Sequence, residues 1–263
     1  MIDWDDAFQN AAYIADAGAY PTGWAAQAAA FRAKASGALD LAYGAPPRAK
    51  LDLFQPATRA RGLVVFVHGG YWLKFDKSTW SHLAASALAR GWAVALPSYS
   101  LAPEATIPEI TAQIAAAIAF AGSHVAGPIH LAGHSAGGHL VTRMVCADSP
   151  LAPTMRDRIA QVVSISGLHD LRPLLHTRMN ENLRLTPETA AAESPVLQLR
   201  LSGMAVSAWV GALERPEFLR QSALLREAWT GVGLEVIANR HHFDIIAELC
   251  NPDSRITQGL APV

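Results

Sequence analysis

Residues 133–139 read GHSAGGH, a G-x-S-x-G centred on Ser135. It follows the apolar run PIHLA and precedes HLVTRMVCA, a strand-then-helix context. A sharp turn between those elements strains the serine backbone, so its close neighbours must lack a Cβ. The turn pushes Ser135 Oγ into the open at the positive end of the following helix. Residues 68–72, HGGYW, follow a second apolar run, GLVVFV. Glycines there let backbone N–H groups point into a site, where with the Ala136 N–H they would hold a tetrahedral oxyanion. The base and acid of such a site follow in the order serine, acid, histidine. Adjacent His241 and His242, in NRHHFD, stand after the last strand, where the base belongs. Glu214, in GALERPE after the preceding strand, is the expected acid; Asp170 is the alternative. Its carboxylate would orient the imidazole and stabilise the imidazolium. Glu217 reads as a first-turn helix carboxylate, and one of His134 and His139 packs or bonds locally beside the elbow. Each pattern has a plainer reading: a Gly-rich connection at 133–138, or a Gly-Gly turn at 69–70 with Trp72 as a core anchor. Their occurrence in order favours acyl transfer.

Short β-branched runs alternate with Ala/Leu-rich segments, which predicts βαβ units and a largely parallel sheet with helices on both faces. Strands are expected at 62–68, 92–96, 128–132, 159–166, 205–210 and 234–238, with an antiparallel pair 39–43/51–54 at one edge. Helices are expected at 78–90 (Ser78 as N-cap, Gly91 as stop), 108–120, 135–147, 215–229 and 242–250. Two segments break the rhythm. Residues 1–38, with Trp4, Tyr13, Tyr20, Trp24 and Phe31, predict a helical cover. The polar stretch 171–203 predicts a lid-like insertion. One domain is expected.

A chain of 263 residues, 51% hydrophobic and with a net charge of -1, excludes disorder and a sequence-wide polyanion-binding surface. At this length a chain buries roughly 70–75% of its unfolded surface. Two cysteines, Cys146 and Cys250, point to a reducing compartment rather than a disulfide framework, and a cytoplasmic location is expected. The start MIDWDD lacks a signal-peptide pattern, and the apolar stretch 107–122 carries Glu109 and Gln113. No membrane or nucleic-acid partner is expected, and a homodimer is left open. No H-E-x-x-H, C-x-x-C, Walker loop or dinucleotide fingerprint is present, so no metal or cofactor is expected.

Taken together, HGGYW at 68–72, PSYSLAPE at 97–104, GHSAGGHL at 133–140, SGLHDLRPL at 166–174, TRMN at 177–180, GALERPEF at 211–218 and HHFD at 241–244 resemble an α/β-hydrolase. More narrowly they resemble the kynurenine formamidase (arylformamidase) branch, next to the hormone-sensitive-lipase-like carboxylesterases. The resemblance spans about residues 39–250. It implies the α/β-hydrolase fold, Ser135 as nucleophile, His242 (the histidine directly before Phe) as base and Glu214 as acid, where the family usually has Asp. The lipase-like relatives' H-x-F spacing would select His241. It implies oxyanion donors at Gly70, Tyr71 and Ala136, with Gly69 as turn-maker. The expected reaction is hydrolysis of an aryl formamide such as N-formyl-L-kynurenine through an acyl-enzyme. Tyr71, Trp72 and Tyr99 would stack on the ring, and Arg178 and Asn180 would meet a polar end. A carboxylesterase for short acyl esters is the alternative, and a non-catalytic binding protein on the same fold the third.

Overall fold

The computed structural model describes residues 2–263; Met1, the first residue of the expected N-terminal cover, lies outside them. Eight strands form one sheet: β1 Gly37–Ala42, β2 Lys50–Phe54, β3 Leu63–Val67, β4 Ala93–Pro97, β5 Ile129–His134, β6 Ile159–Ile165, β7 Ala205–Gly211 and β8 Gly233–Ile237. Their order is β1-β2-β4-β3-β5-β6-β7-β8. The β1/β2 and β2/β4 pairs are antiparallel, and every pairing from β4/β3 to β7/β8 is parallel.

The continuous apolar runs are explained by burial on both faces. In β3, Leu63, Val65 and Val67 join one core cluster, while Val64 and Phe66 join the other. Parallel pairing carries the chain forward along each strand, so the loops after β3, β5, β7 and β8 emerge on one edge. In doubly wound sheets that carboxyl edge is where sites form.

Several helices differ from expectation. Residues 78–90 are not one helix but two 3-10 turns, Lys77–Thr79 and Ser81–Ala84, leading into a short helix, Ala85–Ala89. Asp76, not Ser78, caps the first turn, its carboxylate accepting from Ser78 N–H at 2.8 Å. The tight turns seat Trp80 against Trp24 from the N-terminal cover, ring centroids 4.7 Å apart. The helix Ile107–His124 runs longer and starts earlier, where Glu109 reaches back to the Thr106 N–H at 2.7 Å and caps its first turn. After β8, Asp244 accepts from His241 N–H at 2.7 Å, a local turn that delays helical structure to the 3-10 segment Ile245–Cys250. A further helix, Arg255–Leu260, was not anticipated. Residues 171–203 are a chain of short helical segments that bury Leu174, Leu183 and Ala190. Among the described residues no helix is long and apolar enough to cross a membrane.

Candidate active site

Ser135 is the pivot between β5 and the helix Ala136–Arg143, with φ 56° and ψ −117°. Such a backbone is unfavourable for a residue with a Cβ and persists only where its surroundings fix it. Its N–H donates to the Ile165 carbonyl on β6 at 2.8 Å, and the His139 N–H returns to the Ser135 carbonyl at 3.2 Å. Close approach explains Gly137, where an added Cβ would stand 2.0 Å from the Val67 carbonyl oxygen. Gly137→Ala is therefore expected to cost about 3 kcal/mol or more, measured as a lower urea midpoint at unchanged slope.

The β3/β5 register pairs Val67 with Gly133, which brings the loop after β3 beside the serine. Gly70 turns with φ 108°, and a Cβ there would lie 2.6 Å from the Lys74 carbonyl oxygen. Tyr71 and Trp72 follow at φ 55° and 59°. Ala136 is the first residue of its helix, where N–H groups lack intrahelical partners.

His242 is buried, and its Nδ1–H donates to Glu214 Oε2 at 2.6 Å. The other carboxylate oxygen, Oε1, accepts from Ser166 Oγ at 2.6 Å and from the Gly211 N–H at 2.7 Å. Glu214 is thus held by the last residue of β7 and by the residue that follows β6, a support the sequence did not single out. The pairing β7/β8 aligns Gly211 with Ile237 and so sets the two loops side by side.

His241 turns away. Its Nε2 meets Tyr20 Oη at 3.1 Å, and its Nδ1 accepts from the Phe243 N–H at 3.1 Å. Asp170 is bound to Arg172, Oδ1 to Nε 2.9 Å apart, and its carboxylate bonds to neither histidine. Glu217 pairs with Arg220 at 2.7 Å. Both elbow histidines are committed to backbone carbonyls of distant segments rather than to the elbow itself: His134 Nε2 donates to the His242 carbonyl at 2.9 Å and His139 Nε2 to the Glu193 carbonyl at 2.7 Å. Burial and the neighbouring His242 hold His134 well below the usual imidazole range, so it stays neutral.

Ser135 and His242 open onto one cavity of about 520 Å³. Ser135 Oγ makes no hydrogen bond among the described residues, although catalytic hydrogen bonds often tighten only when substrate is bound. Phe8, Trp24, Phe75, Trp80 and Phe243 give the cavity an aromatic wall. Arg178 is exposed at its margin, 3.5 Å from Asp5. Three expected contacts are not found there. Trp72 is fully buried against His139, ring centroids 5.2 Å apart. Tyr99 is fully buried, stacked on His68 at 4.4 Å, its hydroxyl donating to the His68 carbonyl at 2.9 Å. Asn180 spends both ends of its amide on the Leu185 backbone, at 2.8 and 3.1 Å. Phe8, Asn10 and Trp24 in the N-terminal cover were missed as cavity residues; Trp24 at least carried the cover's aromatic signal. Among the described residues no three His, Cys, Asp or Glu side chains group to hold a metal ion.

The arrangement can perform acyl transfer: a serine at a helix N-terminus, a histidine oriented by a carboxylate, and a loop of positive-φ residues that brings Gly70 and Tyr71 to the same cavity. Comparison with known proteins agrees. The chain is 33% identical to a kynurenine formamidase from Salmo salar over 84% of this chain and 80% of that protein. It is similar, at 49% identity and TM-score 0.96 over 99% of each chain, to a crystal structure from Silicibacter sp. TM1040 named a "putative thioesterase". An esterase from Pyrobaculum calidifontis shares the fold, with TM-score 0.68 at 17% identity over 92% of this chain and 89% of that one. The model of the alpha/beta hydrolase family matches residues 64–256, and the chain belongs to that family.

Proposed function

We propose that the protein hydrolyses a small aryl formamide of the N-formyl-L-kynurenine type through Ser135, His242 and Glu214. The observation that carries this reading is the 2.6 Å His242–Glu214 pair, whose histidine borders the same aromatic cavity as Ser135. With Nδ1–H committed to Glu214, His242 Nε2 takes the Ser135 proton as Oγ attacks the formyl carbon. The developing oxyanion is met by the amides of Gly70, Tyr71 and Ala136. The imidazolium then gives its proton to the departing arylamine, and water, deprotonated by His242, releases formate from the formyl-enzyme. Glu in place of the family's usual Asp fits the longer reach, because its second oxygen is anchored on Ser166 and Gly211. The similarity to proteins named kynurenine formamidase supports a formamide substrate. The aromatic wall suits an aryl leaving group. The 171–203 segment acts as a specificity wall, bringing Arg178 and Met179 to the cavity.

A second reading, an ester or thioester hydrolase, is favoured by the 49% identical structure named for thioester cleavage. The test is kcat/KM for N-formyl-L-kynurenine against p-nitrophenyl acetate on the purified protein. The formamide is expected to be preferred despite the ester's better leaving group. A strong preference for the ester would overturn the formamide assignment and leave the mechanism standing.

A further inference from the structure

Three consecutive residues of the oxyanion loop have positive φ: Gly70 at 108°, Tyr71 at 55° and Trp72 at 59°. For the two non-glycine residues this backbone is unfavourable, and it survives only where neighbours fix it. Trp72 is fixed by its buried ring and by its carbonyl, which accepts from the Ala102 N–H at 2.8 Å. Tyr71 has a different anchor. Its hydroxyl donates to the carbonyl of Phe8, 63 residues earlier in the N-terminal cover. Burial pushes the Tyr71 phenol up, so the hydroxyl keeps its proton.

Phe8 also reaches the other half of the site. Its ring meets Phe218 edge-on at 6.0 Å, and Phe218 tilts against His242 at 4.5 Å. The segment is itself tied down beside the site: Asp5 pairs with Arg178, and Asp6 pairs with Arg215, the residue after Glu214. Tyr13 closes this end, its hydroxyl 2.6 Å from Asp6 Oδ1 and its ring 3.7 Å beneath the Arg215 guanidinium. The N-terminal partners in these contacts, Asp5, Asp6, Phe8 and Tyr13, lie outside residues 64–256, the part that matches the family model.

We propose that the Phe8–Tyr71 hydrogen bond is a latch by which the N-terminal segment sets the oxyanion amides. Tyr71 is then a positioning residue through its side chain and a donor through its backbone. The proposal rests on the hydrolytic reading of Ser135. The latch differs from general packing in one respect. Its loss misplaces donors that matter only when a carbonyl becomes tetrahedral, so it weakens the transition state and spares ground-state binding.

The experiment is Tyr71→Phe, which keeps the ring and the backbone N–H. The fold is expected to survive, because the Phe8 carbonyl still accepts from the Asn10 N–H at 3.1 Å. A small misplacement of catalytic groups can cost up to about 10²-fold, so kcat is expected to fall about 10- to 100-fold with KM within about twofold. An aryl trifluoromethyl ketone, which adds Ser135 Oγ to its carbonyl as the serine proton passes to His242, is expected to bind more weakly in proportion to the loss in kcat/KM. Inhibition by the arylamine product is expected to be unchanged. A kcat within twofold of wild type overturns the latch, as does an equal loss of ketone and arylamine affinity. Fluorophosphonate labelling is run alongside: an unlabelled wild-type Ser135 overturns the reading of the site, and the latch with it. A labelled wild type beside a fully active Tyr71→Phe variant overturns the latch alone.

Discussion

Ser135→Ala is expected to lower kcat by about 10⁶-fold, the scale on which loss of a serine nucleophile removes its partners' contribution as well. Stability is expected to stay within about 1 kcal/mol of wild type. The asymmetry follows from the local structure. Ser135 Oγ has no hydrogen-bond partner among the described residues, so alanine leaves no buried group unsatisfied. The elbow is held by backbone bonds that alanine retains, Ser135 N–H to Ile165 and His139 N–H to Ser135. Steady-state turnover and urea unfolding of the same preparation measure the two quantities. A variant that loses activity by unfolding would show both changes at once.

Glu214→Gln is expected to lower kcat by about 10⁴-fold, the cost of presenting the base in the wrong tautomer. Oε1 accepts from Ser166 Oγ and the Gly211 N–H, so a glutamine at 214 keeps its carbonyl oxygen at that position. Its NH₂ group then replaces Oε2 opposite His242 Nδ1. Two donors cannot face each other, so the imidazole moves its proton to Nε2, where it can no longer accept from Ser135. Asp170→Asn is the matched control. Its carboxylate serves Arg172 and bonds to neither histidine, and turnover within about threefold of wild type is expected. Measuring kcat/KM for both variants with one substrate separates the two carboxylates.

The parts of this site legible in the sequence are those fixed by local rules. A Gly-rich turn between an apolar run and a helix has few alternatives, and a buried parallel strand must be apolar on both faces. The order serine, acid, histidine then carries the search to Glu214 or Asp170 and to the adjacent pair His241 and His242. Side chains whose environment depends on distant partners were not legible. Trp72 and Tyr99 stand beside the motifs and read equally well as cavity wall or core. Only the packing of His139 and His68 against them assigns them to the core. Asn180 is polar within a polar stretch, yet the backbone of Leu185 satisfies it. Phe8 reaches the site through contacts with residues 71 and 218, and no local periodicity encodes a contact of that span. The choice between His241 and His242 likewise turned on Tyr20, which occupies His241.

The central claim is that Ser135 is a nucleophile activated by the His242–Glu214 pair. Its most direct test is the site and rate of fluorophosphonate labelling, read by intact mass and peptide mapping in wild type and in Glu214→Gln. The account predicts one adduct per chain, on the peptide containing Ser135, forming far more slowly in the variant. No adduct, an adduct on another residue, or equal rates in the two proteins would contradict it.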